Sequence, residues 1–274
     1  MRLALVITTH ERPDALAAVL DSVARQRVAP DEIVIADDGS GATTQATIAT
    51  FATRSAVRVR TVSQPHEGFR VARLRNLAIA AAAAADYLVF IDGDMLLHPE
   101  FIADHRRHAR PGFYTQGVRV HTDAGLTRKL IAAPTALPSP WSAGLGGLRR
   151  LYLLRSPGLA SVARTLANGV IAIKSCNLAV WRDDLVRING FNEAFVGWGP
   201  EDKELCARLE NAGVRRQTLM FGGIALHLHH APVSRAALPA NLALLGDTRR
   251  ERRVRCDLGL DAHSRSDALG AQNE

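Results

Sequence analysis

No run of 18 or more apolar residues occurs in the 274-residue chain, so no segment is expected to cross a bilayer as a helix. The amino-terminal MRLALVITTHERP stays apolar for only about seven residues. It lacks the longer apolar core and the small-residue cleavage site of a secretory leader, and is expected to be a buried first strand. Cysteine is scarce: Cys176, Cys206 and Cys256 are odd in number and widely spaced. That argues against a disulfide framework and for a reducing, cytoplasmic setting. Aromatic residues make up 5% of the chain and do not interleave with the basic ones. A pI near 10.0 therefore comes without a recognition motif for nucleic acid, and nucleic acid is not expected as a partner. A nucleotidyltransferase, the other enzyme class weighed, would place a glycine-rich basic loop straight after the first strand, and TTHERPDAL has no such glycines.

What is present is arginine, which supplies nearly all of the 34 basic residues behind a net charge of +7. Such a field suits phosphorylated small molecules or an anionic surface. Strands and helices alternate through the first half. LALVITT is a continuous apolar run; Pro13 then opens a helix carrying Leu16, Val19, Leu20 and Val23 at helical spacing. EIVIADDGS and VRVRTV follow as strands, and FRVARLRNLAIAAAAAA as a helix feeding the strand DYLVFIDGDML. This alternation predicts an α/β fold with a mostly parallel sheet flanked by helices. Residues 127–166, with four prolines and GLGG, predict an irregular insertion or flap able to touch a membrane surface. Regular structure is expected to resume at GVIAIKSCNLAVWR, with a helix at EDKELCARLENAG and one last strand in RRQTLMFGGIALHLHH. The expected division is 1–120, 121–168, 169–246 and a frayed basic tail at 247–274.

Two strands end in acid: Asp37 and Asp38 after IVIA, and Asp92 and Asp94 after YLVFI. Ligands of open parallel sheets bind outside these carboxyl ends. Asp92-Gly93-Asp94 can point both carboxylates one way, and a hard divalent cation would relieve their repulsion. An isolated Asp-x-Asp is more often a solvated turn, so its company decides the matter. VITTHERPDALAAVLDSVARQ, DEIVIADDGS, ARLRNLAI and DYLVFIDGDMLLHPEF, in that order, resemble the family 2 glycosyltransferases of the GT-A fold. NLAVWRDDLVRINGFNEAFVGWGPEDKELCARLENAG resembles the carboxyl-terminal half of galactosyltransferase-type and chondroitin-polymerase-type enzymes.

The resemblance implies an inverting transfer from a UDP-sugar that requires Mn²⁺ or Mg²⁺. It implies that Thr8, Thr9, Arg12 and Asp37 or Asp38 hold the nucleoside, and that Arg75 and Asn76 reach the donor phosphates. It makes Asp94 the metal ligand and Asp92 a donor contact, with His227, or failing that His230, completing the metal shell. Asp202 would be the general base, Glu201 an acceptor-binding partner, and Trp198 a stacking platform for a sugar ring. Pro200 departs from the glycine usual in those families. The acceptor implied is a glycan or lipid-linked glycan of cell-surface polysaccharide or lipopolysaccharide synthesis. The protein would then be cytoplasmic or peripheral on the inner face of the plasma membrane.

Overall fold

A computed structural model describes residues 1–134, 137–166, 172–231 and 234–264. The first half runs β1 (Leu3–Thr9), α1 (Pro13–Ala24), β2 (Glu32–Asp37), α2 (Ala42–Arg54), β3 (Arg58–Ser63), α3 (Val71–Ala81) and β4 (Tyr87–Asp92). A middle stretch adds β5 (Met95–Leu97), α4 (Phe101–His108), β6 (Phe113–Gly117), β7 (Arg119–His121), α5 (Ala124–Ala132) and α6 (Pro157–Leu166). There follow β8 (Asn177–Trp181), α7 (Arg182–Ile188), α8 (Glu201–Asn211), β9 (Arg215–Leu219), β10 (Ala225–His227), α9 (Leu238–Arg250) and α10 (Asp261–Ser264).

Seven strands form the main sheet in the order β3-β2-β1-β4-β8-β6-β9. The first four are parallel, β8 runs against both its neighbours, and β6 and β9 are parallel. Every residue of β1 is buried, as a strand covered on both faces must be. Its side chains alternate between two cores. Ala4 and Val6 join Leu88 and Phe90 against α3, α7 and α8, whereas Leu3, Leu5 and Ile7 join Tyr87, Val89 and Ile91 against α1, α2 and α4. Each such aliphatic burial contributes about 1.5–3 kcal/mol, which pins the register that lines up the strand ends. Thr8 lies opposite Asp92 and Thr9 opposite Asp37.

A second sheet, β5-β10-β7, sits beyond the end of β4. Its pairing sets His227 between Met95 and His121. The single last strand expected from RRQTLMFGGIALHLHH is therefore two strands in two sheets, parted by Gly222 and Gly223. Strand β8 begins at Asn177; the start of the expected stretch, 169–171, lies outside the described residues. The 127–166 stretch is less irregular than its prolines suggest, since it contains most of α5, a 3-10 turn at 148–153 and α6.

The expected frayed tail is likewise corrected as far as residue 264. Asp247 is still within α9, and Cys256 and Leu260 are buried. Asn189, in a left-handed turn, donates from its side chain to the Cys256 carbonyl (3.0 Å) and accepts from the Asp261 and Leu260 N–H groups (2.8 and 2.9 Å). Thr248 donates to Glu204 (3.0 Å). The arginines that make this segment look solvated find local acids, as Arg250 finds Asp247 and Arg253 finds Glu251. No helix among the described residues is long and apolar enough to cross a membrane. Ending the chain after Asp247 is expected to destabilise it by at least about 3 kcal/mol, from lost Leu260 burial and unpaired Asn189 and Glu204 groups. Chemical denaturation tests this, and an unchanged midpoint would return the segment to the status of a tail.

Candidate active site

Four acids gather beyond the carboxyl ends of β1 and β4: Asp92, Asp94, Glu201 and Asp202. Asp92 closes β4, and Thr8 donates to its Oδ1 at 3.1 Å from the neighbouring strand. Gly93 is needed because β1 is so near: a Cβ there would lie 2.9 Å from Thr9 Oγ1 and 3.1 Å from the Thr8 carbonyl. The close approach that glycine permits is thus that of β1 itself. Glu201 and Asp202 open α8, both buried, behind Pro200, which takes the position before the first helical residue.

Arg75 joins the two pairs. Its guanidinium, buried to 3% exposure, donates to Asp92 Oδ1 at 3.1 Å and to Glu201 Oε1 at 3.0 Å. Expected to reach a donor phosphate, Arg75 is instead committed to these carboxylates. Asn76 is corrected more firmly. It is fully buried; its amide donates to the Phe191 carbonyl and to Glu193 (both 2.8 Å) and accepts from the Phe191 N–H (2.8 Å). With both ends of the amide used, it holds the 190–193 turn and has nothing left for a ligand.

Burial sets the protonation of the acids. It raises Asp94 to about 6, with repulsion from Asp92 adding and His230 and Arg12 opposing. It raises Glu201 to about 7, helped by Asp202 and opposed by Arg75. Asp202 is also raised by burial, against the attraction of Lys174 and Arg75. The helix N-terminus alone would favour the ionised forms of both, but desolvation outweighs it.

Asp94 has the surroundings of a metal ligand. Its Oδ2 takes Arg12 Nη1 at 3.1 Å, while its buried Oδ1 has no hydrogen-bond partner. His227 Nε2 stands 3.7 Å from Oδ1, and His230 Nε2 3.6 Å from Oδ2. One carboxylate and two imidazoles within reach of one point form a donor set that could hold Mn²⁺, and the nitrogens suit Mg²⁺ less well. Burial and the nearby Arg119 push the His227 pKa well down, so it offers a neutral ring nitrogen. Alternation along a strand would place His227 with His229 and set His230 opposite. Because β10 stops at His227, the chain turns there; His230 comes back to Asp94 and His229 is exposed. His121 escaped sequence reading. It meets His227 edge-on at 4.9 Å through the β7–β10 pairing, which RVHTD alone does not reveal.

The nucleoside candidates lie to one side. Asp37 is fully buried, and its carboxylate accepts from the Ser40 N–H and hydroxyl and from Gln45. Those three bonds leave one acceptor site, on Oδ1. Asp38 accepts from Gln64 at 2.6 Å and pairs with His66 at 2.9 Å. Thr9 is buried beside Gly93. Trp198 is half-buried, with the Arg235 guanidinium over its ring at 5.0 Å.

Comparison with known proteins identifies the family and the fold. Residues 4–153 match the model for glycosyl transferase family 2, and residues 165–231 that for the N-terminal domain of galactosyltransferase. Validoxylamine A glucosyltransferase of Streptomyces hygroscopicus subsp. limoneus is 30% identical over 223 residues, covering 77% of this chain and 48% of that protein. The chain thus spans about half the length of the curated relatives it matches. Among solved structures, the mannosyltransferase PcManGT from Pyrobaculum calidifontis, in complex with GDP-Man and Mn²⁺, superposes with a TM-score of 0.56 at 17% identity. It covers 98% of this chain and 64% of its own. Residues 1–349 of S. aureus TarS, in complex with UDP, give 0.61 at 15% identity, covering 96% and 68%. The fold is that of the GT-A glycosyltransferases.

Replacing His227 with alanine is expected to weaken Mn²⁺ binding by about tenfold or more, read by titration calorimetry. His229→Ala should leave it unchanged; equal losses at both positions would remove the assignment.

Proposed function

This chain belongs to glycosyl transferase family 2, and from that premise we propose that it is an inverting, metal-dependent enzyme moving a sugar from a UDP-sugar to an acceptor hydroxyl. The observation that carries the proposal is the grouping of Asp94, with its unpartnered oxygen and two histidines, beside the buried carboxylates that open α8. Asp202 takes the proton of the acceptor hydroxyl as that oxygen bonds to the anomeric carbon. The bond from carbon to the diphosphate breaks on the opposite face, which inverts the centre. The N–H groups of Ser175 and Lys203 hold the two Asp202 oxygens at 3.3 and 2.7 Å, fixing the carboxylate's direction. Arg75 keeps Asp92 and Glu201 in place without entering the reaction. Asp94, His227 and His230 would hold the ion, which when bound neutralises charge on the departing diphosphate. The DDGS turn with Thr8, Thr9 and Arg12 is the proposed nucleoside side, and Trp198 the acceptor platform.

A lipid-linked acceptor, as in cell-surface polysaccharide or lipopolysaccharide synthesis, is favoured by a surface feature. Trp141, Leu148, Leu154, Leu159 and Val162 are all exposed within one stretch that also carries Arg149 and Arg150. Apolar side chains between cations fit the headgroup zone of an anionic bilayer. The double variant Trp141→Glu/Leu148→Glu is expected to lose co-sedimentation with phosphatidylglycerol vesicles. Undiminished binding would assign the acceptor no membrane.

UDP release from UDP-glucose and other common UDP-sugars, measured with and without Mn²⁺, tests the main proposal. Asp202→Asn is expected to lower transfer by about 10²–10⁴-fold. Because Asp202 must be ionised and its pKa is raised, the rate should climb with pH through a limb above the ordinary carboxylate range. Lys174→Gln removes the foremost influence lowering that pKa, so the limb moves to higher pH. Full activity of Asp202→Asn, or a limb that Lys174→Gln shifts downward, would refute the assignment of the base.

A further inference from the structure

Arg119, Arg149 and Lys174 line one cleft, together with Tyr152, Cys176 and Asn177. They arrive from β7, from the 3-10 turn at 148–153 and from the segment leading into β8. Among the described residues, no aspartate or glutamate lines the cleft. Three other arginines at the edges of this core are matched by acids: Arg155 lies on Asp104 at 2.7 Å, Arg106 on Asp31 at 2.6 Å and Arg208 on Glu204 at 2.8 Å. Among the described residues, none of the three cleft cations stands in an ion pair, and Arg119 donates to the neutral Cys176 thiol at 3.1 Å. Three like charges that form no close ion pair repel one another, Asp202 and Asp94 acting on Lys174 and Arg119 only from beyond ion-pair distance, and an anion entering among them would be held by all three.

The cleft borders the site already described. Lys174 acts on Asp202, and the next residue, Ser175, donates its N–H to that carboxylate. Arg119 acts on Asp94, and all three cations act on His121, which is pushed down to about 4 chiefly by burial and then by their charge. Tyr152 adds an aromatic ring of the kind that covers sugar faces. An anion here would sit next to the proposed base, whose reaction partner is the acceptor hydroxyl. The donor diphosphate is assigned to the ion site at Asp94 and to Arg12, and Arg119 lies on the border, acting on Asp94 and His227 as well.

We propose that this cleft binds a phosphate or carboxylate group carried by the acceptor, so that the chain selects anionic sugars over neutral ones. The assignment to an acceptor rests on the glycosyltransferase proposal; the binding of an anionic sugar does not. Glucuronate, glucose 6-phosphate and glucose are to be titrated calorimetrically into the protein, first alone and then loaded with Mn²⁺ and UDP. The two anionic sugars should bind at least about tenfold more tightly than glucose, the worth of one charge-assisted contact. That margin should shrink as salt is raised. Arg149 is exposed, so its variants are expected to fold. Arg149→Glu should abolish the margin and Arg149→Gln reduce it, with UDP affinity unchanged in both. Equal binding of the three sugars would overturn the proposal. So would variants that lose UDP affinity and keep the margin, because the cations would then serve the donor diphosphate. Absence of UDP binding to the unaltered protein, with the margin intact in the nucleotide-free titration, would sink the glycosyltransferase proposal and leave the anionic-sugar site standing.

Discussion

The buried guanidinium of Arg75 is the contact on which the site depends. It stands on α3, in the first half of the chain, and reaches Asp92 at the end of β4 and Glu201 at the start of α8, 126 residues away. Burial alone drives carboxylates toward their neutral forms, as it does at Glu201 and Asp202. A fixed cation between them lets acids from both halves of the chain occupy a small volume. Removing one partner of such a buried arrangement typically costs about 3–5 kcal/mol, since the remaining charges are left uncompensated. Asn76, one residue along the same helix, adds a neutral link by holding the turn at 190–193, whose Phe191 ring lies under the Arg75 guanidinium.

Around that link the fold divides its labour. The parallel strands β1, β2 and β4 end in Thr9, Asp37 and Asp92, and their register is enforced by apolar side chains on both faces. The small sheet places His121, His227 and Asp94 together, with Leu228 donating its N–H to the Asp94 carbonyl at 2.9 Å. Helix α9 and the segment after it hold α8 from outside. Asn241 donates to the Val196 carbonyl at 3.2 Å and packs so closely on Gly199 that a Cβ there would meet its amide at 2.3 Å. The loop bearing Trp198 is thereby set against the helix that carries the acids.

Much of this was legible in the residues. Apolar runs and alanine-rich periodicity located β1, β2, β4, α1 and α3, and the acidic strand ends marked where a ligand belongs. The family followed from the order of several individually weak motifs. Legibility failed where local pattern and long-range packing disagree. Polar, arginine-rich residues 247–264 resemble a solvated tail, but the buried side chains of Thr248, Cys256 and Leu260 and the Asn189 hydrogen bonds hold them down. Arg75 and Asn76 sit side by side on a helix that faces the site, which suggested ligand contacts. Their partners, Glu201 and the 191–193 turn, are more than a hundred positions away in the chain.

By itself the sequence determined the α/β alternation, the carboxylates at the strand ends and the family. Those follow from short-range periodicity and from motif order, both of which are local properties of a chain. Only the tertiary structure decided that Arg75 binds carboxylates, that His230 returns to Asp94 while His229 faces outward, and that His121 meets His227. Each of those depends on a register or turn set by distant packing, where the free energy of burial and pairing is shared among residues that no sequence window contains.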